Sequence, residues 1–161
     1  MATTDKISFN TITAPAVTSW DVLASAGSAC CAAVDNSTTL YDDIVFTVKI
    51  NSNTTPAADK TAYVYAYGSF DGTNYNISSN EMASPGTDAT LTLDSPTNLA
   101  GPMPVYMPTA SKSYFKNISM AAMFGGLCPK KCGLIVNNVT NQAFVTGSGI
   151  IAAVGIYYTN A

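Results

Sequence analysis

The chain has 161 residues, within the span of one domain, and a formal net charge of −3. Only 11% of the residues are charged against 47% apolar, where an average soluble domain carries about 25% charged residues. There is no His and no Arg, so Ser-His-Asp and Cys-His catalysis, His-containing zinc sites and the guanidinium forks that read guanine and clamp phosphate are all excluded within one chain.

Strand signals recur from end to end. Weaker ones lie at 7–13, 20–23 and 28–34. Ile44, Phe46, Val48 and Ile50 alternate with Val45, Thr47, Lys49 and Asn51, the period-two pattern of a half-buried strand. Residues 54–60 follow as a Pro-containing surface loop.

Tyr63, Tyr65 and Tyr67 then line one face of a strand whose other face is Val64, Ala66 and Gly68. Asp71-Gly72-Thr73-Asn74 reads as a tight turn, with Gly supplying positive φ and Asp and Asn bonding back to the main chain. Two oxygen-bearing side chains are few for a calcium site, which needs six to eight oxygens. Ala89, Leu91 and Leu93 alternate with polar residues between turns at 85–86 and 95–96.

Residues 98–104 read as a second long loop, and 105–107 and 114–120 as further weak strands. The runs 132–139 and 149–159 are rich in β-formers, and 150–158 is apolar on both faces, as in a strand that is central or sits at an interface. Only 20–34 and 119–127 could hold a helical turn. The sum is an all-β, single-domain β-sandwich or jelly roll over 1–161, of roughly eight to ten antiparallel strands, with an N-terminal arm at 1–15.

No apolar run near Met1 is long enough for a signal peptide, and no stretch approaches the roughly 20 apolar residues of a membrane span. Synthesis in a cytoplasm, with no membrane and no nucleic-acid partner, is therefore expected. All ten acids lie at or before Asp94 with three lysines among them, and four lysines follow it. Two arrangements fit: opposite charged ends that steer subunit contacts, with Lys130 and Lys131 in the basic one, or halves interleaved so that the charges mix.

The cysteines occur as Cys30-Cys31 and Cys128-Pro-Lys-Lys-Cys132. Neither pair has structural-zinc spacing, and Cys128 to Cys132 is not Cys-x-x-Cys. Buried thiols are one reading, and a disulfide joining the 30/31 region to the 128/132 region is the other. Asn-x-Ser/Thr triplets begin at Asn36, Asn53, Asn76, Asn117 and Asn138 and follow from a composition rich in Asn, Ser and Thr. Asp42 and Asp43 are adjacent, so on a strand they diverge and do not make the carboxylate pair of a glycosidase. No catalytic residue, metal or cofactor is expected.

Three blocks taken together, DKTAYVYAYGSFDGTNY at 59–75, GTDATLTL at 86–93 and AAMFGGLCPKKCGLIVN at 121–137, resemble a family of small tailed-bacteriophage virion structural proteins. The family carries a Trp near the position of Cys132. The resemblance implies a capsid decoration or cement protein on the virion surface, made in the host cytoplasm, whose partners are the major capsid protein and itself as a dimer or trimer. Contact residues are expected at Phe9, at the exposed parts of Tyr63, Tyr65 and Tyr67, at Lys130 and Lys131, and along the last strand at Ile150, Ile156 and Tyr158. The alternative is a receptor- or carbohydrate-binding module, or a tail or fibre component, using Tyr65, Tyr67, Asp71, Asn74 and Tyr75.

Overall fold

The computed structural model describes residues 5–54, 61–77, 86–93 and 98–160. Residues 1–4 of the expected arm, 55–60 of the expected loop, and 85 and 95–96 of the expected turns lie outside them. The described chain is a β-sandwich of ten strands in two antiparallel sheets, with very little helix.

The first sheet runs in the order β1 (Asp5–Ile12), β10 (Gly149–Asn160), β4 (Asp43–Asn51), β8 (Ser113–Ser119). The second runs β6 (Ala89–Leu91), β2 (Ser28–Cys30), β9 (Lys131–Asn138), β5 (Thr61–Ser69), β7 (Ala100–Tyr106), and the short β3 (Val34–Asp35) also pairs with β9. Both sheets mix early and late strands, so the acidic and basic halves of the sequence do not form opposite ends of the fold. Asp35 lies directly opposite Lys131 in the β3–β9 register.

Period-two patterning builds the core. Ile44, Phe46, Val48 and Ile50 of β4 are all fully buried, and their register partners continue the inner face through Ala153 of β10 and Ile118 of β8. From the second sheet, Val64 and Ala66 pair with Val136 and Leu134, and all of these side chains belong to one buried cluster.

Two local expectations are corrected, and one is met. Residues 20–23 are not a strand: Thr18–Trp20 form a 3-10 turn that buries Trp20. Residues 100–104 are strand rather than loop, because β7 is an edge strand paired, among the described residues, only with β5, and an edge tolerates Pro102 and Pro104 where an interior position would lose a ladder hydrogen bond. The helical turn expected within 119–127 is present as α1 (Met120–Met123), where the Ser119 hydroxyl accepts from the Ala122 N–H at 3.0 Å as its N-cap.

Candidate interaction surface

The outer face of the four-stranded sheet gathers apolar side chains. In the β1–β10 register Ile7 stands opposite Tyr158 and Phe9 opposite Ile156, and the next outward pair is Thr11 with Val154. Phe9 is 69% exposed, Tyr158 62% and Ile7 52%. Four apolar residues thus form a two-by-two block on one face. Isolated exposed apolar residues need no explanation, whereas a contiguous block marks a contact surface. A β-bulge between Ile150 and Ala152 turns Ile151 outward on the same strand.

Beside this block opens a cleft of about 550 Å³, whose walls include Tyr41, Asp42, Asp43, Leu127, Cys128, Ile156 and Tyr158. Leu127 is strongly exposed and extends the apolar surface across the cleft. The two adjacent aspartates both line this cleft, and their carboxylates turn to opposite neighbours of β4, Asp42 to β10 and Asp43 to β8 and α1. Each is engaged by the main chain. Asp42 accepts from the Tyr158 N–H at 3.2 Å, while Asp43 accepts from the Ser119 hydroxyl at 2.6 Å and the Ala121 N–H at 2.8 Å. They fasten β10 and α1 to β4.

Of the residues expected to make contacts, Phe9, Ile156 and Tyr158 are brought together here. Ile150 is not with them, because it pairs with Val48 on the inner face and is buried. Tyr67 is 0% exposed and Tyr65 7%, so neither offers a contact surface; Tyr63 is half-buried. The tyrosine face of β5 is covered: Tyr67 donates to the Cys31 carbonyl at 2.7 Å and packs on Tyr75 at 5.9 Å between centroids. Burial pushes the Tyr67 phenol far above its usual range. The aromatic platform of the carbohydrate-binding alternative is therefore largely inside the protein.

Asp71 acts in its turn. Oδ1 accepts from the Thr73 and Asn74 N–H groups at 2.7 Å and from the Ser69 hydroxyl at 2.8 Å, and Oδ2 accepts from the Asn74 amide at 2.7 Å. These donors hold its carboxyl well below the usual carboxylate range. Lys130 is exposed and Lys131 half-buried at the start of β9, in the other sheet.

All four cysteines are free thiols. Cys30 donates to the Thr87 and Ala89 carbonyls at 3.1 and 3.3 Å, whereas Cys31 Sγ accepts from the Leu134 N–H at 3.0 Å. The adjacent pair thus serves two different sets of partners. Cys132, on β9, is fully buried, and Cys128, on the cleft wall, is half-buried.

Ile7 and Leu127 belong to the surface without having been singled out in the sequence. The alternation Ile7, Phe9, Thr11 carried part of that signal, but which of its faces is outward depends on pairing with β10, a strand more than 140 positions away. No family model, curated protein or solved structure matches the chain.

Proposed function

We propose that this chain is a non-enzymatic virion assembly protein, a capsid decoration or cement subunit of a tailed phage. It self-associates as a dimer or trimer and packs against the major capsid protein on the outer capsid surface. The observation that carries the reading is the Ile7, Phe9, Ile156 and Tyr158 block exposed on a rigid sheet. The low charge suits a surface that is covered in use, and the resemblance of the 59–75, 86–93 and 121–137 blocks supplies the shell as partner. The absence of His and the engagement of both cleft carboxylates by main-chain N–H groups speak for binding rather than chemistry.

The action is mechanical. An interface of standard size buries about 1,600 Å², and area buried across capsid joints opposes the outward pressure of packaged genome. Cosedimentation of the purified chain with matching phage particles that lack it, with bound copies counted by quantitative mass spectrometry, tests this. Copies in a simple ratio to the major capsid protein are expected. A dozen or fewer per particle would move the protein to the tail or a vertex, and none would overturn the reading.

A further inference from the structure

A trough lies on the second sheet, away from the apolar block and independent of the assembly reading. In the pairing of β6, β2 and β9, Leu91 stands opposite Ser28 and Ser28 opposite Asn137. Opposite residues of an antiparallel ladder share a face, so these three form one row. Leu93, Ala26 and Val139, each two positions further along its chain, continue that face, and the Ala26 N–H still bonds the Asn138 carbonyl. All six line one cleft of about 580 Å³, within the range of small-molecule sites. The cleft exists because the middle chain is small there. Ala26 and Ser28 make its floor, and Leu91 with Leu93 on one side and Asn137 with Val139 on the other make its walls. The strands that carry the walls are two strand spacings apart, about 9–10 Å, which leaves room for one flat ring.

The polar groups of this trough are unspent. Ser28 is 6% exposed, yet its hydroxyl has no hydrogen-bond partner among the described residues, and neither has the amide of half-buried Asn137. Buried polar groups are nearly always paired, so an unpaired one facing a cleft marks a place for water or a ligand. Asn138, the next residue, shows the contrast: its amide and its Oδ1 are both fully engaged inside the protein. None of the described residues lining the trough is charged, so an ionised ligand would lose its hydration there without a counter-charge.

The geometry points to a saccharide site whose ligand is a neutral six-membered sugar ring. The Asn137 amide can donate to one ring hydroxyl while its carbonyl oxygen accepts from the neighbouring one, and the Ser28 hydroxyl donates to or accepts from a third. The C–H face of the ring lies against the apolar side chains of Leu91, Leu93 and Val139. A purely apolar ring would leave the Ser28 and Asn137 groups unpaired, and a charged sugar would find no partner for its charge. A neutral sugar satisfies both conditions, displacing water from groups that its own hydroxyls can replace. The site is separate from Tyr65, Tyr67, Asp71, Asn74 and Tyr75, which do not line this trough.

The test titrates the full chain, labelled with nitrogen-15, with the methyl glycosides of glucose, galactose and mannose and with N-acetylglucosamine, and follows backbone amide shifts. Saturable shifts at 26–28, 91–93 and 137–139 are expected with at least one of the four, at a Kd on the order of millimolar for a ligand this small. Glucuronic acid and cyclohexanol, the charged and the nearly apolar ring, should bind more weakly by about tenfold. Asn137→Ala should weaken the sugar by about tenfold and Ser28→Ala by about threefold, with the spectrum elsewhere unchanged because neither side chain holds another part of the described protein. No saturable shift with any of the four sugars, shifts centred on 71–75 instead, or cyclohexanol bound as tightly as the sugars would overturn the proposal. Undiminished sugar binding by a folded Asn137→Ala chain would overturn it as well.

Discussion

Tyr67 lies across Gly133, its direct partner in the β5–β9 register. A methyl group built on Gly133 would sit 2.5 Å from the Tyr67 hydroxyl oxygen and 2.6 Å from two ring carbons. The ring has nowhere to go, because it is fully buried and its hydroxyl is held by the Cys31 carbonyl. Gly133→Ala should therefore cost about 1–3 kcal/mol through overpacking, read as a lower urea midpoint at unchanged slope. Tyr41 crosses Gly155 of β10 in the same way at 2.5 Å, so Gly155→Ala should behave alike, and two such distant costs should add. A wild-type midpoint for either variant would show that the rings can move aside.

Asn138 is fully buried and ties three loop carbonyls to the end of β9. Its amide donates to Leu23, Ala24 and Gln142 carbonyls at 2.9, 3.1 and 2.8 Å, and its Oδ1 accepts from the Thr140 N–H at 3.1 Å and hydroxyl at 2.6 Å. Asn138→Ala removes all of these at once and strands buried polar groups, so a loss of at least about 2 kcal/mol is expected in chemical denaturation. Thr140→Ser keeps the hydroxyl and should lose less than Thr140→Val. The Asn-x-Thr triplet at 138–140 is in this way a structural turn rather than a modification signal.

Asp88 predicts an acid-sensitive contribution. Burial pushes its carboxyl up, but the Ser19 and Thr18 hydroxyls and N–H groups outweigh it and leave the group below its usual range. The Thr18 N–H and hydroxyl donate at 2.6 and 2.5 Å, the Ser19 N–H at 3.2 Å, and the Ser19 hydroxyl donates as well. A lowered folded value means that this stability is fully present above the unfolded pKa, near 3.9, and drains away as pH falls through the folded one. Asp88→Asn should lose about 1–2 kcal/mol at neutral pH, and its stability should fall less steeply than wild type on acidification to about pH 3. Parallel stability-versus-pH curves would show that the carboxylate charge is not what these donors recognise.

How much of this was legible from residues alone depends on whether the signal was local. The alternation in β4 announces a strand and its buried face, since Ile44, Phe46, Val48 and Ile50 need only one apolar neighbour layer. The Asp71 turn was legible too, because its donors lie within three residues. The tyrosines of β5 misled, because period two says which side chains share a face and not what covers it; here that cover comes from Tyr75 and the chain near Cys31. Strand β7 was hidden by its prolines, which are harmless because, among the described residues, no strand pairs along its far side.

The four sheet edges differ in how they resist pairing with another chain, and the difference singles out β1. Strand β6 is only three residues long, β7 carries Pro102 and Pro104, and β8 turns Lys116 toward the inner face, opposite buried Val48. Each is a known block to edge-to-edge association. Strand β1 has eight residues, no proline, and its only charges, Asp5 and Lys6, at its start, with Ile7 and Phe9 exposed along it. Self-association is thus expected along this edge and the face it borders. Phe9→Lys should leave folding stability within about 0.5 kcal/mol of wild type, because the side chain is exposed, yet weaken association by about tenfold or more, as for a central apolar contact. Sedimentation velocity over a concentration series reads both species. Leu40→Lys alters an equally exposed apolar residue outside the sheets, and Lys130→Glu with Lys131→Glu alters the charge at the start of β9; both should associate as wild type does. If Phe9→Lys also associates normally, β1 is not the contact, and if the wild-type chain stays monomeric throughout, this edge does not drive self-association.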